Sequence, residues 1–204
     1  MKQKIISKLV VIMLLAGLLL MAIQSYNFRS FGVQNALTNA SSIGEVVKNG
    51  LTAHMINNNM EQRGIFLNSI SNMKKIKSLW VIRGENVIQQ YGTASNNELA
   101  RDDIDKRVLK SSEMEYKLTE TFSATSLRVT IPYNAEQTSS INCLDCHNVK
   151  YGDTLGAVTI VLDISDIKTS GLILVMFILF FTIFAILLII YFATKTLKPD
   201  LETI

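Results

Sequence analysis

The sequence predicts an α+β domain, a long N-terminal helix followed by an antiparallel sheet of about five strands, carried between two transmembrane helices. Three observations predict it. Two apolar runs, 9–23 and 171–193, bracket a polar middle. After Phe31 the apolar residues recur in steps of three and four, as on a helix, to about Lys77. From Ser78 the period falls to two, that of half-buried strands.

The first apolar run would make a helix of about 22 Å, short of the roughly 30 Å hydrocarbon core. Started at Ile5, with Lys8 snorkelling, it reaches about 28 Å. No small-residue cleavage site precedes Tyr26, so segment 1–27 reads as an uncleaved anchor rather than a signal peptide. The second run carries no charge and spans about 34 Å. Lys2, Lys4 and Lys8 flank the first run, and Lys195 and Lys198 the second. The positive-inside rule then puts both ends in the cytoplasm and 28–170 outside.

The net charge of +3 belongs to the ends, because 24–170 holds 15 Lys and Arg against 15 Asp and Glu. A neutral middle speaks against a nucleic-acid partner and leaves membrane lipid as the expected surroundings of the ends.

Segment 31–77 reads as one long helix. Its main stripe runs through Val33, Leu37, Ala40, Ile43, Val47, Leu51, His54/Met55 and on to Ile76. A weaker stripe passes through Val46, Ala53, Ile56, Met60 and Leu67. Two stripes allow two partners, a sheet and a second copy of the helix in a homodimer. Gly44, Gly50 and Gly64 each lower helix propensity by about 1 kcal/mol, and Asn57-Asn58-Asn59 interrupts both stripes, so a break is expected there.

Segments 78–83 and 86–91 read as strands joined by a hairpin at Gly84-Glu85. Segment 97–111, with Asn97 as N-cap, reads as a helix crossing the sheet. Segments 115–121, 127–133 and 155–164 supply three more strands, with Pro132 marking an edge or a bulge.

The chemistry lies between the last two strands, in Cys143-Leu144-Asp145-Cys146-His147. Two thiols three positions apart can each add to a vinyl group of one porphyrin, and the following His can take the iron as proximal ligand. CxxC also serves zinc and dithiol redox centres. Structural zinc needs four ligands, and the chain holds two Cys and two His in all. A thioredoxin-type dithiol opens a helix after a strand of a βαβ unit, and none precedes Cys143. The motif therefore reads as the site of one covalent haem c per chain. Opposite His147, the distal candidates are His54, Met55 and Met60; the His is also explained as a packed or hydrogen-bonded residue and each Met as core filling.

The order of elements is that of a PAS-like or Cache-like sensor domain. The runs Arg128-Val129-Thr130-Ile131-Pro132-Tyr133, Cys143 to His147, and Gly152-Asp153-Thr154-Leu155-Gly156-Ala157-Val158 resemble the haem-c periplasmic sensor domains of bacterial transmembrane receptors; 79–92 resembles them more loosely. The resemblance implies a domain in the periplasm, carried by the bacterial inner membrane, and a distal Met from the N-terminal helix, which puts Met60 or Met55 ahead of His54. It also implies output through a chemotaxis transducer, histidine kinase or diguanylate cyclase, which would have to lie in a missing output domain or a cytoplasmic partner. Segment 194–204, with Thr196-Leu197-Lys198-Pro199, resembles the start of a HAMP linker and equally fits a helix stopped by basic residues and proline. Two functions follow as expectations: a receptor sensing a diatomic gas (NO, CO or O2) or redox state, or a membrane-anchored monohaem cytochrome for electron transfer. No acid-base pair accompanies Cys143, so no enzyme activity is expected.

Overall fold

The structure is a computed structural model that describes residues 2–92, 98–121, 123–138 and 141–197. The chain forms two compact units, one from the segments through Gly32 and from Asp166 onward, the other Val33–Ser165.

Helix α1 (Lys2–Ile56) and helix α5 (Ser165–Leu197) supply the first unit. Both contain stretches long and apolar enough to cross a membrane, within Ile6–Ile56 and Ser165–Ala193. Their facing glycines allow close approach: a Cβ on Gly17 would stand 2.8 Å from Thr182 Cγ2, and one on Gly171 3.3 Å from Phe28. The anchor and the long helix expected from Phe31 are thus one helix without a break.

That helix ends where the asparagines interrupt its stripes. Asn58 takes a left-handed φ of 50°, a 3₁₀ turn covers Met60–Gln62, and helix α2 (Arg63–Ser71) follows. The expected helical run to Lys77 is too long, because Lys75, with φ 77°, turns the chain into strand β1 (Ile76–Arg83).

Strand 86–91 is not formed. Those residues belong to helix α3 (Glu85–Tyr91), so among the described residues the sheet has four strands, not five. The cause lies in Gly84, whose amide donates to Leu155 O at 2.8 Å while its carbonyl accepts from Val87 and Ile88. Instead of reversing into a hairpin the chain winds into a helix, for which Glu85, Gln89 and Gln90 have good propensity. Helix α4 (Asp103–Ser111) is capped by Asp102, which accepts from the amides of Ile104 and Asp105. Asn97, the expected cap, lies outside the described residues, as do the residues of the HAMP-like stretch from Lys198 onward.

Strands β2 (Glu115–Glu120), β3 (Thr125–Asn134) and β4 (Thr154–Asp163) complete an antiparallel sheet in the order β1-β4-β3-β2. Pro132 falls beyond Thr130, the last residue of β3 paired with β2, and just before a register shift at Tyr133/Asn134; the strand there is both an edge toward β2 and irregular. One face of the sheet packs on α4, with Ile82, Val108 and Ala157 at its centre. Leu127, Val129 and Ile160, alternating with these in the register, are fully buried on the other face. There Ile131 and Tyr133 meet α1, and Gly44 admits Ile131, whose Cδ1 would lie 2.5 Å from a Cβ. The main stripe of α1 is buried at Leu37, Ala40, Val47 and Leu51, each side chain worth about 1.5–3 kcal/mol except the smaller Ala. Of the weaker stripe, Val46 and Ile56 stay exposed, at 57% and 65%.

Candidate functional site

The loop between β3 and β4 leaves the sheet beside α1 and returns beside α3. Ala135 starts it with two backbone bonds to the far end of the loop, its amide to Asp153 O at 2.8 Å and its carbonyl from Gly152 N at 2.9 Å. These close the loop at its base, and Gly152 needs its φ of 88° to make the return.

Within the loop the motif is wound into one turn. A 3₁₀ turn covers Cys143–Asp145, Asn142 caps it through the amide of Leu144, and the amide of His147 reaches back to Cys143 O at 2.9 Å. Cys143, Cys146 and His147 therefore come together, and both cysteines carry free thiols, Cys143 half-buried and Cys146 exposed. The His147 imidazole is half-buried, and burial pushes its pKa below the ordinary value, which favours the neutral, ligating form. Its Nδ1 is buried without a hydrogen-bond partner.

Two groups of residues hold this turn, and the sequence reading singled out neither. On the α1 side, the amide of Cys143 donates to Glu136 O at 2.9 Å, and the Glu136 carboxylate pairs with Lys48. Burial depresses the Lys48 ammonium, but the hydrogen bond to Glu136 and the charges of Glu45 and Glu136 outweigh it and raise the pKa. Next to this pair the Tyr133 hydroxyl bonds the Thr52 hydroxyl, and burial raises the Tyr133 pKa. On the other side, α3 sends Gln90 and Tyr91 to the backbone around His147. Reading 86–91 as a strand hid these two. Helical spacing of Val87, Ile88 and Tyr91 was the available signal.

The distal candidates all lie at the end of α1 or just past it. With about 100° per residue, Met55 comes within about 20° of the direction of Lys48, one turn beyond Thr52. It thus shares the face of α1 that holds the loop, and it is 37% exposed. His54 lies about 120° away from Lys48. Its ring packs against Phe66 at 5.7 Å, with Nδ1 3.1 Å from Asn59 O. Met60 begins the 3₁₀ turn and is half-buried.

A cavity of about 570 Å³, lined by residues such as Arg83, Ile88, Lys106 and Asp153, includes none of the motif residues. Among the described residues no group of three or more His, Cys, Asp or Glu gathers as a metal site. A haem held by two thioethers asks for less, one protein ligand on the proximal side. Two free thiols in one turn and an imidazole with a buried, unpartnered nitrogen fit that requirement. No protein-family model and no curated protein matches the chain.

Proposed function

We propose that the chain is a membrane-anchored haem-c sensor, which detects a small gas (NO, CO or O2) or a redox state outside the cytoplasmic membrane and signals through its second apolar helix. The observation that carries this reading is the turn at Cys143 to His147, which winds two free thiols and an imidazole together. Cys143 and Cys146 would hold the haem through thioether bonds, and His147 would ligate its iron. Haem bound there would supply a redox-active iron able to take a small gas ligand. Met55 is the favoured distal ligand from its place on α1, followed by Met60 and then His54.

The sensor class rests on two features. An α+β domain with a long N-terminal helix between two apolar helices has the order of the PAS-like haem-c receptor domains that the sequence resembles. Strand β4 ends at Asp163 and α5 begins at Ser165, so the chain passes from sheet to helix through Ile164 alone. No flexible linker intervenes to absorb a shift. Lys8 and Lys195 favour cytoplasmic ends and a periplasmic domain. The exposed Val46 and Ile56 suit a homodimer, with a cytoplasmic signalling domain or partner as output.

A membrane-anchored electron carrier is the second reading, favoured by the exposure of Cys146, which would leave a haem edge near solvent. Single cysteines placed at successive positions from Ile164 to Ile173 of the full chain separate the two. A sensor dimer crosslinks in a helical pattern that changes between ferric, ferrous and CO-bound protein. One pattern in all states, with rapid electron exchange to a soluble cytochrome, would identify the carrier.

A further inference from the structure

We infer that Gln90 and Tyr91, the last two residues of α3, are positioning residues that set the orientation of the His147 imidazole. The inference rests on the haem reading above for its purpose, and on contacts around one backbone carbonyl for its geometry.

The Gln90 side chain brackets His147. Its Nε2 donates to Cys146 O at 2.8 Å, and its Oε1 accepts from the amide of Asn148 at 2.9 Å. A side-chain amide has a donor and an acceptor at the spacing of a peptide group, so it can pin the residue between those two atoms as a neighbouring strand would. The amide's orientation is set by the same contacts, since a flip would face oxygen to carbonyl oxygen and NH2 to N–H. Tyr91 adds a second donor to Cys146 O through its hydroxyl, which also accepts from Gln90 Nε2 at 3.3 Å. That carbonyl then uses both lone pairs on α3. The Tyr91 ring meets the His147 ring edge-on, with centroids 5.4 Å apart and planes at 78°. The backbone on both sides of His147 and one edge of its ring are thus held by one short helix.

That helix is itself fixed. Gly84 bonds Leu155 O, and a Cβ at Gly84 would lie 2.7 Å from the same oxygen, so the start of α3 sits directly on β4. Its end is closed by Gly92, which takes a φ of 87° and donates to Ile88 O. A rigid mount suits a ligand that must keep one rotational setting, as metal-bound histidines do through groups around them. Here the groups act on the backbone and the ring, leaving one imidazole nitrogen for the iron and the other to donate to an acceptor.

The test uses the full chain, matured with haem. The ferric low-spin EPR spectrum reads the orientation of the axial imidazole. Wild type should give one narrow signal. Gln90→Leu should keep covalent haem but raise a second low-spin population about fivefold, the factor for one neutral hydrogen bond. Tyr91→Phe, which keeps the ring, should raise it less. A readout free of haem accompanies these: the Asn148 amide should exchange with solvent about fivefold faster in Gln90→Leu than in wild type. Haem-loaded variants with unchanged spectra would overturn the positioning role and leave the haem reading standing. Wild type that attaches no haem would overturn the haem reading and the positioning role with it. Unchanged Asn148 exchange would overturn the bracket itself.

Discussion

The amide of Cys143 donates to the carbonyl oxygen of Glu136 at 2.9 Å, and the carboxylate of the same glutamate pairs with Lys48 on α1. One residue therefore ties the CxxCH turn to the long helix. The pair is only partly shielded, with Lys48 16% and Glu136 40% exposed, so its contribution is about 0.5–1 kcal/mol.

Glu136→Gln should lower stability by about that amount, read as a shift in thermal unfolding followed by Trp80, the one tryptophan. Lys48→Met should cost the same, and the double variant no more than either single. Additive losses would mean that the two residues act separately.

Arg128 is the larger structural risk. Its guanidinium meets Asp102 and the fully buried Asp105, whose oxygens also accept from Thr159 Oγ1 at 3.1 Å, Trp80 Nε1 at 3.3 Å and the Arg101 amide at 2.9 Å. Arg128→Leu strands the Asp105 charge and should cost about 3–5 kcal/mol. Adding Asp105→Leu removes that charge and should recover part of the loss. A cost below about 1 kcal/mol for the single variant would show that the Arg128–Asp105 contact contributes little to the fold.

Asp102 sets part of the acid limb. Its hydrogen bond from Arg128 holds its pKa at about 2, against an ordinary 3.8. A depressed carboxyl adds stability above its unfolded pKa and loses it as pH falls through the folded one. The loss should therefore fall between about pH 5 and pH 2, and Asp102→Asn should flatten that limb. Asp163, lowered mainly by its hydrogen bond from Ser165, leaves a residual slope. An unchanged acid limb in Asp102→Asn would contradict the assignment.

Much of this was legible in the sequence, for physical reasons. The apolar runs, the main stripe of α1, the asparagine break and strands β2 to β4 follow from periodicity and turn chemistry, which are local. Helix α3 was not, because Asn86 to Tyr91 is short and apolar enough to pass for a strand; a tertiary bond, Gly84 to Leu155, decides it. The motif was readable at once, whereas Lys48, Thr52, Glu136, Gln90 and Tyr91 bear on it only through contacts distant in sequence. Met55 lies by helical spacing on the face of α1 that Lys48 and Thr52 define, and the advantage over His54 proposed for it rests on that spacing.

Replacing distal candidates one at a time tests that advantage. Met55→Leu should remove the weak sulfur-to-iron band of the ferric protein, while His54→Ala and Met60→Leu leave it. Loss of the band in Met60→Leu alone would move the ligand to the 3₁₀ turn. A spectrum altered only by His54→Ala would rule out both methionines.

The central claim is tested most directly by weighing the denatured full chain after expression in a host competent for haem-c maturation. The account predicts a mass increased by one haem, with the increase abolished when Cys143 and Cys146 are both replaced by Ser and retained in His147→Ala. A chain of unmodified mass whose haem extracts into acid acetone, or one that instead carries stoichiometric zinc, would contradict it.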